Sequence, residues 1–164
     1  MDIKIYGTVN DSIVDGPGLR YTVFTQGCPH KCPGCHNPES HDFDGGRLID
    51  TDEIIAQMKQ NPLLDGVTLS GGEPFCQPEA CLVIAQAAHQ AGLNVWAYSG
   101  YTYEQLLEKA PELLKEVDVL VDGPFILAQR SLELKFKGSR NQRLIDVKRS
   151  LNEKAVVLWQ PPIW

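Results

Sequence analysis

The sequence predicts an α/β fold, a partial open (β/α) barrel with mostly parallel strands. Short runs of β-branched and apolar residues alternate with helical patterns along the chain, the rhythm of strand, loop and helix units. Turns of unusual composition follow the ends of predicted strands, which is where α/β folds place their active sites. A closed barrel of eight units needs about 250 residues, so a chain of 164 residues has room for about five or six βα units.

In the first half of the chain, β-branched and aromatic residues indicate strands, and capping residues delimit helices. Asp50 supplies an N-cap for the first helix, which ends before Pro62. The second helix begins at Pro78 and ends before Gly92. The predicted strands are 1–9, 20–25 and 66–70, and the predicted helices are 51–60 and 78–91.

In the second half, the nearly unbroken apolar run 117–121 is typical of a strand buried in a parallel sheet. Thr102 caps a helix that reaches Lys109, with a continuation after Pro111. The remaining predicted strands are 93–98, 142–147 and 155–159, and the segment 125–134 is predicted to be helical.

Size and charge exclude several classes of partner. The chain is long enough for one domain, 1–164, with a C-terminal extension from about residue 148, and such a domain buries roughly 70% of the surface that its unfolded chain exposes. The formal net charge is −6, from 21 acidic and 15 basic residues, which gives no electrostatic footprint for nucleic acid. No apolar run is long enough for a membrane span, and the N-terminus does not resemble a secretory signal. We therefore expect neither nucleic acid nor membrane as a partner.

The five cysteines are an odd number, and three of them lie in one loop. A disulfide scaffold would distribute its cysteines in pairs along the chain. This pattern favours a reducing, cytoplasmic location and a loop that binds a metal. Cys76 and Cys81 have no third or fourth partner nearby in the sequence and are predicted to be ordinary thiols.

The cluster loop, residues 27–37, contains Cys28, Cys32 and Cys35 at a spacing of three and then two intervening residues. Two prolines and Gly34 in the loop disfavour helix and strand, so the loop is expected to fold back and direct its thiolates at one centre. A structural zinc site would need a fourth ligand, and the available histidines are His30, His36 and His41. A 4Fe–4S cluster with three cysteine ligands would keep one iron open for a substrate or cofactor. The spacing alone leaves both alternatives open.

The cysteine pattern resembles the cluster motif of the radical S-adenosylmethionine enzymes, and other stretches are similar to the activating enzymes of anaerobic ribonucleotide reductase within that superfamily. The resemblance covers most of the chain, from about residue 10 to about residue 148. Its motifs are Val14-Asp15-Gly16-Pro17-Gly18-Leu19-Arg20, Ser70-Gly71-Gly72-Glu73-Pro74, Ser99-Gly100-Tyr101, Val119-Leu120-Val121-Asp122-Gly123-Pro124-Phe125 and Gly138-Ser139-Arg140-Asn141-Gln142.

The resemblance implies one 4Fe–4S cluster and S-adenosylmethionine as cofactors. Reductive cleavage of S-adenosylmethionine at the cluster would give a 5′-deoxyadenosyl radical, which abstracts a hydrogen from a glycine of the large anaerobic ribonucleoside-triphosphate reductase subunit. A flavodoxin or ferredoxin is the implied electron donor. The implied catalytic residues and metal ligands are Cys28, Cys32 and Cys35, and the implied cofactor-binding residues are Gly34, Cys35, His36, Gly71, Gly72, Glu73, Ser99 and Gly100. Among these residues, either the Glu73 carboxylate or the carbonyls of Gly71 and Gly72 would contact the ammonium group of the cofactor.

Three alternatives remain at this point. The first is an activase of another glycyl radical enzyme. Gly34 is similar to the ribonucleotide reductase activases and unlike the pyruvate formate-lyase activase, with which the chain nevertheless shares the His-Asn pair after Cys35. A radical enzyme acting on a small molecule, such as a deazapurine-forming synthase, is the second alternative. The third is a zinc-stapled binding module without catalysis. Asp122 is expected to bind a hydroxyl or cation, or to be a turn residue. The stretch 138–143 is expected to dock the partner, to close the pocket, or to be only a basic, polar turn.

Overall fold

The fold is that of a computed structural model, in which residues 1–35 and 38–161 are described. Within these residues, seven strands form one sheet: β1 (Asp2–Ser12), β2 (Arg20–Thr25), β3 (Arg47–Asp50), β4 (Gly66–Gly71), β5 (Asn94–Tyr98), β6 (Val119–Asp122) and β7 (Arg143–Asp146). The helices are α1 (Thr51–Lys59), α2 (Pro78–Gln90), α3 (Tyr103–Lys109), α4 (Pro111–Lys115) and α5 (Val147–Glu153). Short 3₁₀ turns occur at Pro38–Ser40, Pro74–Cys76 and Leu127–Gln129.

The strand order is β3-β1-β2-β4-β5-β6-β7. The four central strands, β2, β4, β5 and β6, pair in parallel, whereas the flanking strands β1, β3 and β7 pair antiparallel with their neighbours. The predicted α/β fold with a parallel centre is confirmed. Because the central strands are parallel, their carboxyl ends meet at one edge of the sheet, with Thr25 opposite Gly71.

The two faces of the sheet are covered unequally. Alternate residues of the central strands, such as Val67, Leu69 and Leu120, are fully buried beneath the helices in the larger hydrophobic core. The side chains between them point to the opposite face, where Trp96 and Val121 belong to a smaller cluster. That second face is therefore the concave side of a partial barrel, and segments without regular structure partly cover it.

Arg20 lies buried on this concave face, where its guanidinium group donates to Thr68 Oγ1 at 2.7 Å and to Asn94 Oδ1 at 2.7 Å. The group also lies over the Trp96 ring, 5.7 Å from its centroid. Burial lowers the pKa of Arg20 to about 10, although nearby acidic groups oppose the change. The arginine ties the segment before β2 to the amino ends of β4 and β5.

Local capping explains where two helices begin. The Asp50 side chain accepts a hydrogen bond from the Asp52 amide at 2.9 Å, as the sequence predicted for the first helix. Thr102 and Gln105 form a reciprocal capping box at the start of α3. No helix within the described residues combines the length and the apolar character that a membrane crossing requires. The boundaries of the single domain stay a prediction.

Two predictions about the second half of the chain are wrong, and two elements of the chain were not predicted. Segment 125–134 is not a helix, because only Leu127–Gln129 forms a 3₁₀ turn and the rest is held by bonds to residues 138–142. Segment 155–159 is not a regular strand, since only Leu158 makes an isolated bridge, to Ile145. Neither β3 nor α5 was predicted. Helix α5 is short and is started by a cap, in which the Asp146 side chain accepts from the Arg149 amide.

Candidate functional site

A cavity of about 430 Å³ opens at the carboxyl ends of the parallel strands. Its volume lies in the range of about 300–1,000 Å³ that small-molecule sites occupy. Residues from three of the predicted motifs share its wall. They are Cys28, Cys32 and Cys35 of the cluster loop, Ser70, Gly71 and Gly72 at the end of β4, and Ser99 and Gly100 after β5.

The cluster loop is anchored at its first cysteine to the segment at residues 40 and 41, which follows the loop. The Gly27 amide donates to the Ser40 carbonyl at 2.7 Å, and the Cys28 amide donates to the His41 carbonyl at 3.1 Å. At the other end, the Cys35 amide donates to the Cys32 carbonyl at 3.1 Å and closes a turn. The loop therefore folds back on itself, as its prolines and glycine predicted, and presents all three cysteines to one cavity.

The donor set of this loop fits an iron–sulfur cluster, because three free thiols share a cavity at the edge of the sheet. Burial raises the pKa of the Cys28 thiol to about 11, so this cysteine needs a cation to become a thiolate ligand. In residues 1–35 and 38–161, no group of three or more His, Cys, Asp and Glu side chains has an arrangement that could hold a metal ion. Ligation by the three cysteines stays a prediction, and His36 lies outside the described residues.

Gly71 and Gly72 bring the end of β4 very close to the end of β2. Gly71 has a φ of 103°, and a Cβ there would lie 2.3 Å from the Thr25 backbone nitrogen. A Cβ on Gly72 would lie 2.4 Å from the Gly27 carbonyl oxygen. In return, the Gly72 amide donates to the Thr25 carbonyl and the Glu73 amide to the Gly27 carbonyl, both at 2.8 Å. The absence of side chains thus lets this turn dock directly on the start of the cluster loop.

Glu73 is fully buried and is not among the residues that line the cavity. Its carboxylate accepts from Ser99 Oγ at 2.9 Å, from the Gly100 amide at 2.8 Å and from the Phe75 amide at 3.2 Å. His30 Nε2 lies 2.6 Å from Glu73 Oε1. Protein groups therefore surround the carboxylate, and a direct contact between Glu73 and a cofactor stays a prediction.

Ser99 and Gly100 are placed by the end of β5, where the Ser99 amide donates to the Val121 carbonyl at 3.0 Å. A Cβ on Gly100 would lie 2.3 Å from Cδ2 of the His30 ring, so the imidazole occupies the space that a side chain would fill. The edge of the same imidazole meets the Tyr101 ring, with 4.5 Å between centroids. The Ser-Gly pair thus both borders the cavity and contacts the cluster loop.

Gly34 of the cluster loop packs against the segment that follows β6. Its φ is 74°, and a Cβ there would lie 2.7 Å from Leu127 Cδ1. Glycine at this position therefore allows the cluster loop to approach the segment that follows β6. Its predicted contact with a cofactor is not tested by this packing.

The sequence did not assign to the site most of the wall opposite the sheet. The segment 123–142, here called the outer wall, contributes several cavity-lining residues. Gln142 holds this wall together, because its side-chain oxygen accepts from the Gly138 amide at 2.8 Å and its nitrogen donates to the Gly123 carbonyl at 3.0 Å. Asn141 donates to the Pro124 carbonyl at 2.8 Å. The polar stretch 138–142 thus forms part of the cavity wall, and its predicted roles in closing the pocket or docking the partner stay predictions.

Two cationic residues of the outer wall, Arg130 and Lys137, border the cavity, as does Asp15 from the segment before β2. The signal in the sequence was a local excess of basic residues. Residues 126–143 contain five of the 15 basic residues of the chain and one of its 21 acidic residues. Basic side chains suit a ligand that carries a carboxylate.

Asp122 is buried by the protein and does not border the cavity. It accepts from the Tyr103 amide at 2.8 Å and forms two hydrogen bonds with the Arg143 guanidinium group, at 3.0 and 2.5 Å. Hydrogen bonds to Asp122 and Glu104 raise the pKa of Arg143 above its ordinary value. Arg143 therefore occupies the position beside Asp122 for which the sequence suggested a bound hydroxyl or cation.

Cys76 and Cys81 are free thiols, as predicted. Cys81 is fully buried in the hydrophobic core on α2, and burial raises its pKa. Neither residue borders the cavity.

The chain is similar to a class of iron–sulfur proteins. The model of a family described as a 4Fe-4S single cluster domain matches residues 14–145. The fold is shared with a crystal structure of QueE from Escherichia coli, which has a TM-score of 0.50 and 15% sequence identity over 62% of this chain and 54% of that chain.

Similar curated proteins narrow this class. An anaerobic ribonucleoside-triphosphate reductase-activating protein of Haemophilus influenzae is 35% identical over 79% of this chain and 89% of its own length. A protein of the same description from Enterobacteria phage T4 is 34% identical, over 80% of this chain and 86% of its own. A pyruvate formate-lyase-activating enzyme of Clostridium pasteurianum is 33% identical, over 74% of this chain and 55% of its own. The chain belongs to the family of anaerobic ribonucleoside-triphosphate reductase-activating proteins, and the prediction of an activating enzyme is confirmed.

Proposed function

We propose that this chain generates a glycyl radical on an anaerobic ribonucleoside-triphosphate reductase. The observation that supports the proposal most directly is the shared cavity. The three cysteines of the cluster loop, the turn after β4 and the turn after β5 all border one volume at the carboxyl edge of the parallel strands. Cluster and cofactor would therefore be held side by side.

Cys28, Cys32 and Cys35 would hold a 4Fe–4S cluster and leave one iron open. When bound, the reduced cluster would supply the one electron for the reductive cleavage of S-adenosylmethionine, and the cleaved cofactor would accept the hydrogen of the partner's glycine. The protein supplies the positions of these groups. The amides of Gly27 and Cys28 donate hydrogen bonds to the carbonyls of residues 40 and 41. These bonds hold the backbone of the first cysteine ligand in place.

The cofactor would lie between the cluster loop and the two turns. The glycines after β4 expose backbone to the cavity, which suits the ammonium group of the methionine moiety, and Arg130 or Lys137 suits its carboxylate. Ser99 and Gly100 border the same space. The backbone of the predicted cofactor-binding residues Gly34, Cys35 and His36 would contact the adenine of the cofactor.

The partner would enter where the outer wall faces the segment before β2. Leu132 and Leu134 of the wall border the cavity together with Val14, and Leu132 is 91% exposed and Val14 72% exposed. Large apolar side chains in this position suit contact with another protein. Within residues 1–35 and 38–161, Arg130, Lys135 and Lys137 form no ion pair, so an acidic segment beside the glycine of the partner would complement this rim.

The electron donor in this proposal is a flavodoxin or ferredoxin. The five free thiols support the predicted reducing, cytoplasmic location.

The metal content of protein purified without oxygen tests the first step. About four irons per chain and a low-temperature EPR spectrum that changes on addition of S-adenosylmethionine are expected. Cys28→Ala, Cys32→Ala and Cys35→Ala should each lose iron, whereas Cys76→Ala, which lies outside the cavity, should retain it. One zinc per chain and no iron after reconstitution would refute the proposal and favour the zinc-stapled module.

The choice of partner is tested by mixing the reduced, loaded protein with candidate glycyl radical enzymes. A glycyl radical EPR signal should appear with an anaerobic ribonucleoside-triphosphate reductase, and a signal with pyruvate formate-lyase alone would contradict the assignment. Leu132→Glu should reduce radical formation without changing cleavage of S-adenosylmethionine in the absence of partner. Leu63→Glu is the matched control, since Leu63 is 73% exposed and precedes β4 at the opposite edge of the sheet.

A further inference from the structure

We propose that His30 is a positioning residue, which locks the span between the first two cysteines of the cluster loop to both cofactor-binding turns through the carboxylate of Glu73. This inference rests on the proposed function and adds to it a residue that the sequence had offered only as a zinc ligand. The central contact is the distance of 2.6 Å between His30 Nε2 and Glu73 Oε1.

Glu73 is suited to this role because its carboxylate joins two turns. The residue belongs to the turn after β4, and it accepts from the Ser99 hydroxyl and the Gly100 amide in the turn after β5. It is fully buried, so water does not compete for these bonds. The imidazole is the one side chain of the cluster loop that hydrogen-bonds to this carboxylate among the described residues.

His30 is held in place on three sides. Its ring fills the space above Gly100, where a Cβ would lie 2.6 Å from Nε2, and the ring edge meets Tyr101. The next residue, Lys31, has a φ of 50°, which is uncommon for a residue with a side chain. This unusual backbone conformation directly follows the anchored imidazole, and the chain then leads to Cys32.

The consequence is a mechanical link between cluster and cofactor. The Cys28 amide is held by its hydrogen bond to the His41 carbonyl, but Cys32 lies four residues further on and its amide makes no hydrogen bond among the described contacts. His30 lies midway between them and is tied to the sheet through Glu73. Loss of the hydrogen bond between His30 and Glu73 would let Cys32 move relative to the turns that border the cavity.

The first test uses protein without a cluster, so it does not depend on the proposed function. Alkylation of each cysteine by iodoacetamide is followed by mass spectrometry of peptides in wild type and His30→Ala. A lost hydrogen bond to a charged group should raise the alkylation rate of Cys32 by about 10- to 100-fold, through more frequent opening of the loop. Cys81, which is fully buried on α2, is the internal reference for unfolding of the whole domain, and its alkylation rate should rise far less than that of Cys32. Equal rates at Cys32 in the two proteins would overturn the inference.

The second test uses reconstituted protein and measures iron content, the affinity for S-adenosylmethionine and the EPR change that the cofactor causes. His30→Ala should weaken cofactor binding by about 10- to 100-fold, as is typical when a residue that orients a metal site is removed. His30→Gln should restore most of the affinity, because its terminal amide reaches the position of Nε2, whereas His30→Asn should not. A glutamine variant as impaired as the alanine variant, or an alanine variant that binds the cofactor normally, would overturn the inference.

A remote histidine controls for a general loss of stability. His89 contacts Glu116 at 3.0 Å and Asp118 at 2.9 Å, far from the cavity. His89→Ala should lower stability while leaving the cofactor-induced EPR change intact, and loss of that change in His89→Ala would count against a specific role for His30. If wild-type protein binds no iron, the proposed function fails, whereas the alkylation rates still decide whether His30 anchors the loop.

Discussion

Gly72 is a position at which a single methyl group should disturb the site directly. A Cβ there would lie 2.4 Å from the Gly27 carbonyl oxygen and 2.9 Å from the Ser40 carbonyl oxygen. Both neighbours are backbone atoms, so no flexible side chain can move aside. To restore an ordinary contact of 3.4 Å, the backbone of the turn or of the cluster loop would have to shift by about 1 Å.

The magnitude of the effect follows from two contributions. Overpacking of a dense site costs about 1–3 kcal/mol. The shift also removes the hydrogen bond from the Glu73 amide to the Gly27 carbonyl, now 2.8 Å long, which contributes about 1 kcal/mol. The free energy of unfolding should therefore fall by about 2–4 kcal/mol in Gly72→Ala. For a chain of this size, the corresponding fall in Tm is roughly 4–16 °C.

The assay is denaturant unfolding of the protein without a cluster, followed by iron analysis after anaerobic reconstitution. Gly7→Ala is the matched control, because a Cβ at Gly7 in β1 meets nothing within 4 Å. We expect Gly7→Ala to unfold like wild type and to bind iron normally, whereas Gly72→Ala unfolds earlier and retains less iron, since Gly27 precedes the first cysteine. Equal unfolding midpoints and equal iron content in the two variants would refute the reasoning.

Two further predictions concern charged groups away from the cavity. Arg143→Ala should lower the free energy of unfolding by about 3 kcal/mol, because the buried Asp122 carboxylate loses its cationic partner. This is the low end of the range for a buried ion pair, since the arginine side chain itself is 34% exposed. Denaturant unfolding measures the change, and an effect below about 1 kcal/mol would contradict the prediction. Burial alone would raise the pKa of Asp118, but hydrogen bonds from His89 and other donors outweigh it and lower the pKa. Because this pKa is lowered in the folded state, the advantage of wild type over Asp118→Asn should be present at neutral pH and should shrink as the pH falls below about 4, through the folded pKa. Urea unfolding of both proteins across this range measures it, and an advantage that grew towards low pH would contradict the sign.

The sequence predicted the elements whose signals are local. Apolar runs such as 117–121, and caps such as Asp50 and Thr102, mark strands and helix starts by residue type alone, and these elements are present. The cysteine spacing and the glycines after β4 were also visible, because their chemistry requires particular residues at particular separations. The structure adds that all of them border one cavity.

The errors lie where neighbours far along the chain decide the conformation. Segment 125–134 has helix-forming residues, but Ser139 accepts a bond from the Ile126 amide and Gln142 fixes the loop before it. The short strand β3 exists only because β1 offers it an edge to pair with. Propensity is weak compared with such tertiary contacts.

The sequence by itself therefore determined the fold class, the cluster loop and the two glycine-containing turns, since each depends on residue identity at short range. Only the tertiary structure decided what the acidic residues do. Glu73 accepts from groups contributed by β5 and the cluster loop, and Asp122 is neutralised by Arg143 of β7. No local pattern reveals such partners, because whether a carboxylate faces a ligand or the protein depends on which distant donors surround it in the folded state.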